Sequence, residues 1–215
     1  MIARLTRVLA LLGGLVLASG CQTPRRLETY PPGALPVPYE AATTYSSCLL
    51  ASTAMAANYT VDALRFSEKQ MLADFQHQRA DVSRVGEVKR YLKERGLHLM
   101  TVEGGLDGPP PRGLRDWLTV RRYPVICVIN REGADPAFNH AVVVIGVSSK
   151  ADAESSDTIY YLDPSTQHPL HACTPGEFEE LWSRGGHAMM VVLVPPREEP
   201  GVGAEQVRKK GEVTR

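Results

Sequence analysis

The stretch from Cys48 to about Asn58 constrains the fold more than any other part of the chain. It carries Leu49, Leu50, Ala51, Ala54, Met55, Ala56 and Ala57. On a 3.6-residue helix these side chains cover nearly every side, so the helix must be wrapped by other elements. An ordinary amphipathic surface helix is excluded. Ser46 or Ser47 stands where a cap belongs, and Cys48 then falls in the first turn.

What wraps this helix is legible further along. A second helix is predicted from Ser67, with Gln70 placed for a capping box and with Met71, Leu72 and Phe75 apolar. A third runs from about Arg84 to Arg95, with Val88, Tyr91 and Leu92 on one face and Gly96 as its stop. The pattern then turns to strands. Leu97 to Val102 is a short candidate, and a helical turn around Leu114 to Leu118 follows. Pro124 to Ile129 and His140 to Val147 are continuous apolar runs of strand length. Ser148 to Ser156 reads as a hairpin loop, with Thr158 to Leu162 as the returning strand. Thr174-Pro175-Gly176-Glu177 opens a last helix through Trp182 with a cap, a proline at the first position and a closing glutamate. His187 to Val194 is the final strand. Trp117 and Trp182 are read as core anchors. Helices come first and strands mostly later, which argues α+β rather than alternating α/β. No internal repeat is visible.

The ends of the chain differ from this middle. Arg4 and Arg7 precede an apolar run from Val8 to Leu17, and small residues lead to Cys21. A positive start, a short apolar core and small residues before a cut site make a secretory signal peptide over residues 1–20. Leu17-Ala18-Ser19-Gly20-Cys21 resembles the lipobox of bacterial lipoproteins, which implies lipidation of Cys21 and anchoring to a bilayer. Gln22 after the cysteine implies the outer membrane of a bacterial cell envelope, by analogy with enterobacterial sorting. Residues 21–39, with Pro24, Pro31, Pro32, Pro36 and Pro38, read as an extended tether. Residues 196–215 are charge-rich and read as a disordered tail. The folded domain is then 40–195. Lys+Arg and Asp+Glu are both 24, so no global basic field is available to hold nucleic acid.

Three polar residues sit where apolar elements begin or end. Cys48 opens the buried helix, His140 heads a strand, and Asp163 ends the strand that pairs with it. A helix N-terminus stabilises a thiolate. A histidine opposite it can take the thiol proton and return it to a leaving amine. A carboxylate on a neighbouring strand can fix the imidazole tautomer. His187, after Gly185-Gly186, is the rival base. His168, His171 and Cys173 cluster in a proline-containing loop without a fourth spaced ligand, so a structural loop is favoured over a metal site. With Cys21 lipidated, three thiols remain. Cys127 lies in a core strand, and a Cys127–Cys173 disulfide is one open pairing that would leave Cys48 free.

This order resembles the papain-like cysteine peptidases of the bacteriocin-leader (double-glycine leader) type. The pieces that carry the likeness are Ser47-Cys48 with the apolar helix behind it, Asn139-His140-Ala141-Val142-Val143-Val144, and Tyr161-Leu162-Asp163-Pro164. The resemblance implies an N-terminal helical half packed on a C-terminal antiparallel sheet. It implies Cys48 as nucleophile, His140 as base and Asp163 as the orienting group, with no cofactor and a peptide or protein substrate. The family places Gln six residues before its Cys, as a donor to the oxyanion, where this chain has Ala42. Its usual Asp-Cys-Gly reads Ser47-Cys48-Leu49 here. Thr43, Thr44, Tyr45 or the backbone N–H of Cys48 are the substitutes at hand. Losing one such donor slows catalysis by about 100- to 1000-fold without abolishing it. Two other readings stand beside the peptidase: a weakly active or inactive scaffold that binds a peptide or protein, and an acyltransferase using the same three residues.

Overall fold

The computed structural model describes residues 29–131, 135–148 and 157–195. The expected signal peptide, Cys21 and the tail from 196 onward lie outside these residues. Among the described residues, no helix is long and apolar enough to cross a membrane.

The chain runs α1 (Cys48–Thr60), α2 (Glu68–Gln78), α3 (Val85–Lys93), β1 (His98–Glu103), α4 (Leu114–Thr119) and β2 (Val125–Asn130). It continues through β3 (Asn139–Ser148), β4 (Thr158–Leu162), β5 (Leu170–Cys173), α5 (Pro175–Arg184) and β6 (Ala188–Leu193). The strands form one sheet in the order β1-β6-β2-β3-β4-β5, with every pairing antiparallel. Helices packed on such a sheet make the α+β architecture expected from the sequence.

Every residue of α1 from Cys48 to Asn58 is buried. Its polar side chains therefore need internal partners. Ser52 donates to the carbonyl of Ala141 on β3 (3.0 Å), Thr53 to its own helix at Leu49 (2.7 Å), and Thr60 to Val192 on β6 (3.1 Å). Asn58 accepts from the backbone N–H of Arg65 and Phe66 and donates to the Phe66 carbonyl, all at 2.8 Å. That stitch fixes the connection into α2. The capping box at Thr174 and Glu177 forms as expected, whereas at Ser67 only the Gln70 N–H to serine half is present.

Four expectations are corrected. The tether does not extend to residue 39: Leu35, Val37 and Tyr39 are buried in the core, and the Leu35 N–H donates to Ile145 (2.7 Å). Prolines allow extended backbone, and alternation of apolar side chains within it lets one side bury. Gly146 permits the approach, because a Cβ there would sit 2.7 Å from Ala34 Cα. Ser47 does not cap α1. Its hydroxyl bonds back to the N–H and carbonyl of Thr44, closing a 3₁₀ turn at Tyr45–Ser47. Residues 170–173 are a strand, β5, paired with β4, not a loop. Finally, His187 does not open β6. It precedes the strand in a left-handed turn with φ of 52°.

The end of α5 lies close on β2. A Cβ on Gly185 would meet the Val128 carbonyl oxygen at 2.0 Å, backbone that cannot rotate away, whereas a Cβ on Gly176 meets nothing within 4 Å. Gly185→Ala should therefore destabilise the protein by about 2 kcal/mol, a typical overpacking penalty. Gly176→Ala, inside the same helix, should stabilise it by about 0.5 kcal/mol. Urea unfolding of the two variants beside the wild type checks both signs.

Candidate active site

Two packing contacts bring Cys48, His140 and Asp163 together. Ser52 stands one helical turn after Cys48 on the same side of α1, and its bond to Ala141 pins that side against the residue following His140. The register Val143 opposite Leu162 then lays the end of β4 beside the start of β3, so Asp163 arrives next to His140. His140 Nε2 lies 2.8 Å from Asp163 Oδ1. With Nε2 engaged, Nδ1 is the nitrogen left for the hydrogen bond that His140 shares with the Cys48 thiol.

The electrostatics follow from these bonds. Burial pushes the Cys48 thiol up, but the hydrogen bond with His140, the N–H groups of Ala141 and Leu49, and the imidazole charge outweigh it. Its pKa ends below the ordinary thiol value. Burial alone would lower the pKa of His140; Asp163 and Cys48 together raise it to about 9. Asp163 is fully buried, which disfavours its charge, yet its bonds to His140 and to the Ser165 N–H and the nearby Arg131 hold it at about 2. All three shifts favour one state: thiolate, imidazolium, carboxylate. Cys127 is the contrast. It is completely buried with nothing to offset desolvation, and its pKa is pushed well above the thiol range.

Cys48 and His140 border a cleft of about 550 Å³ whose walls include Tyr45, Ser46, Leu49, Val128, Ala188 and Met190. A neighbouring hollow of about 430 Å³ shares Val85, Val128, Ala188 and Met190 with it. The two hollows adjoin at these side chains, and apolar surface predominates in both.

The other sequence candidates scatter. Thr43 is not free to face the cleft: its hydroxyl and N–H are both held by the Glu68 carboxylate. The Thr44 backbone N–H and carbonyl are both engaged by the Ser47 hydroxyl in the turn before α1. Tyr45, 83% exposed, lines the cleft, and so does Ser46, which the sequence reading took only for a cap. His187 is bound to Glu179 (2.6 Å) and edges against Trp182, away from Cys48. His171 stacks on Tyr161 at 5.0 Å and meets the Thr166 hydroxyl. Cys127 and Cys173 are free thiols. They lie on β2 and β5 with two strands between them, roughly 14 Å at the usual strand spacing, which is beyond disulfide reach.

The sequence reading also missed three charged residues. Arg131, just beyond β2, pairs with Asp163 Oδ2. Glu40 and Glu68 are both buried beneath the segment leading to Cys48. Glu40 accepts the Glu68 N–H at 2.7 Å, while Glu68 holds Thr43. No short-range pattern marks these partners, because each pair is far apart in sequence.

A thiol at the head of a buried helix, facing a His–Asp pair on an antiparallel sheet, defines the papain-like class of cysteine peptidase folds. Within that class, the family described as papain-like cysteine protease AvrRpt2 matches residues 32–179, and the chain belongs to it. Among solved structures, the fold is similar to a double glycine motif protease from an AMS/PCAT transporter, determined in complex with the leader peptide. The identity is 20% and the TM-score 0.51, covering 77% of this chain and 96% of that one. It is also similar to the peptidase domain of Streptococcus ComA, a bi-functional ABC transporter of a quorum sensing pathway, at 12% identity and a TM-score of 0.51. That match covers 73% of this chain and 98% of that one. At these identities the likeness is one of fold. No curated protein sequence matches. The resemblance to double-glycine leader peptidases drawn from the sequence thus holds at the level of fold.

The buried pair makes a separate expectation. Burial, together with the nearby Glu68 charge, raises Glu40 to about 7 despite its bond from the Glu68 N–H. A carboxyl raised above its unfolded value holds a proton in the folded state that the unfolded chain has released. Stability therefore falls as pH rises from the ordinary glutamate range to about 7, and levels off beyond it. The pKa difference sets a ceiling of about 3 kcal/mol. Glu40→Gln should remove this slope, so unfolding measured at pH 5 and pH 8 should differ less in the variant than in the wild type.

Proposed function

We propose that this protein is a lipid-anchored cysteine peptidase of the bacterial cell envelope, hydrolysing peptide bonds with Cys48 as nucleophile, His140 as acid and base, and Asp163 as the orienting carboxylate. The observation that carries the reading is the Cys48 thiol set against an imidazole whose Nε2 is bonded to a buried carboxylate, with Cys48 and His140 both on the wall of the cleft. The Cys48 thiolate attacks the carbonyl carbon, and the tetrahedral oxyanion forms at the head of α1. Tyr45 and Ser46, which line the cleft, are the residues whose hydroxyls replace the missing glutamine as donors. His140 gives its proton to the leaving amine, then takes one from the water that hydrolyses the thioester. Asp163 keeps Nε2 protonated, so Nδ1 faces the sulfur throughout. The peptide-bound relative of similar fold supports a peptide as the substrate.

The scaffold reading keeps one specific observation in its favour: Ala42 stands where the family has its donor, and Thr43 is tied to Glu68. Alkylation separates the two. Iodoacetamide should modify Cys48 in the native protein well below pH 8.5, the ordinary thiol range, while Cys127 stays protected until unfolding. His140→Ala should reduce that labelling at neutral pH by about tenfold or more, and His187→Ala should leave it unchanged. Unfolded casein should be cleaved by the wild type and not by Cys48→Ala. A native Cys48 that resists labelling while Cys173 reacts would transfer the assignment to a peptide-binding scaffold.

The anchoring part of the proposal rests on the lipobox and needs its own test. Acyl chains on Cys21 would bury many methylenes, each contributing roughly 0.8 kcal/mol, enough with several chains to hold the domain at the outer membrane, facing the periplasm. Cys21→Ser should shift the protein from the membrane pellet to the soluble fraction or stall it as the unprocessed precursor. An unchanged pellet and an unchanged mass refute the anchor.

A further inference from the structure

Asp163 is completely buried, and its two oxygens are used differently. Oδ1 faces His140 Nε2 and accepts the Ser165 N–H, both at 2.8 Å. Oδ2 is taken by the guanidinium of Arg131, which stands one residue beyond the end of β2 and remains 42% exposed. Arg131 also lies near Tyr161 on β4, where its charge acts on the phenol, and the Tyr161 ring packs against His171 and Phe178. The bond runs from Nη2 of the guanidinium to Oδ2 alone, and a charge-assisted bond of this kind restrains the rotation of the carboxylate that accepts it.

We infer that Arg131 is a positioning residue for the site: by occupying Oδ2, it turns Oδ1 onto His140. The inference rests on the assignment of Cys48, His140 and Asp163 proposed above, and it acts through Asp163 without touching substrate. Without Arg131, Oδ2 is left buried and unpaired. The carboxylate is then free to rotate about its bond to the chain. Rotation withdraws support from the imidazolium and, through it, from the Cys48 thiolate. An exposed arginine pair ordinarily contributes little. This one differs because its partner has no access to water.

The groups that face Asp163 are His140 from β3, Arg131 from the end of β2, Tyr161 from β4 and His171 from β5. His171 stacks against Tyr161 and is held below its ordinary value, by burial first, so it supplies little charge near neutral pH. Arg131 is the permanent cation of the set. His140 and the Ser165 N–H do more than Arg131 to keep Asp163 charged, so loss of Arg131 should leave the carboxylate ionised near neutral pH and act through the orientation of Oδ1.

The measurement is the pH profile of Cys48 alkylation by iodoacetamide in full-length wild type, Arg131→Gln, Arg131→Lys and Tyr161→Phe, with circular dichroism as the check on folding. Arg131→Gln should move the acid limb of the profile upward, by at most about one pH unit or about tenfold slower labelling at a fixed pH, because Asp163 stays charged and only its hold on His140 loosens. Arg131→Lys should recover part of the shift, since it keeps charge and one donor but loses the fork. Tyr161→Phe, which preserves the ring stack, should give a smaller shift in the same direction. In parallel, the His140 Nε2 proton followed by NMR should exchange faster in Arg131→Gln. If Arg131→Gln and Tyr161→Phe fold and their acid limbs and His140 signals coincide with wild type, Arg131 is a surface ion pair and the inference is wrong. Should Arg131→Gln fail to fold, an unmoved limb in both Arg131→Lys and Tyr161→Phe overturns it equally. Casein hydrolysis is read separately. A shifted limb with no hydrolysis in the wild type keeps Arg131 as a positioning residue and rejects the peptidase assignment, whereas hydrolysis with an unmoved limb does the reverse.

Discussion

The contact between α1 and β3 is the constraint on which the rest depends. A helix with buried side chains on every face gains stability only if it is covered all round, at roughly 25 cal/mol per Å² of apolar surface removed from water. The sheet covers one side. The α2 helix, the turn at Tyr45–Ser47 and the connection pinned by Asn58 cover more. Because Ser52 must find a partner once buried, the helix cannot slide or rotate freely on the sheet, and the Ala141 carbonyl sets its position. The same bond places Cys48 opposite His140. Core packing and site geometry are thus fixed by one contact.

Charge then orders what packing has assembled. Moving a carboxylate such as Asp163 into the interior costs several kcal/mol unless it is well paired. Here a histidine, an arginine and a backbone N–H meet it, and its pKa falls to about 2 in spite of burial. A carboxylate that stays charged raises His140 to about 9, and a charged His140 draws Cys48 below its ordinary value. The dependence runs outward from the most buried group to the one nearest the cleft. That direction explains why two thiols of one chain behave oppositely: Cys48 sits at the end of this line, while Cys127 sits among valines and methionines on β2 with no charge to meet.

Most element positions were legible in the sequence because they rest on local physics. Thr158–Leu162 and the Thr174 cap come from alternation and capping chemistry within a few residues. Cys48, His140 and Asp163 could be singled out because each stands at an apolar boundary, and their order matched a known family. What the sequence hid is non-local. Leu35, Val37 and Tyr39 were masked by the prolines between them, which favour extended backbone in a tether and in a packed strap alike. β5 is short and at the sheet edge, so its histidine and cysteine looked like loop residues. Arg131 and Asp163 are 32 positions apart, and Glu40 and Glu68 are 28 apart. Neither pairing has any local signature, and only the fold brings the partners together.

Two of the three buried acidic groups, Asp163 and Glu40, solve the same desolvation problem in opposite ways. Asp163 is paired with cations and keeps its charge down to about pH 2; Glu40 has another carboxyl as its neighbour and keeps its proton up to about pH 7. They hold adjacent pieces of chain: the Ala42 N–H donates to Pro164, the residue after Asp163, and the Tyr39 hydroxyl bonds the same carbonyl. Below about pH 7 both groups sit in their preferred states in the fold, and the 39–43 segment and the 163–166 turn are bonded to each other. The proton on Glu40 tells on the acid side of that value: the unfolded chain releases it first, so stability declines from the ordinary glutamate range to about pH 7 and is level beyond it. The imidazolium of His140 persists to about 9. In this chain the buried glutamate therefore tunes stability through the mildly acidic range, and the line of charges at the site titrates only after that dependence is complete.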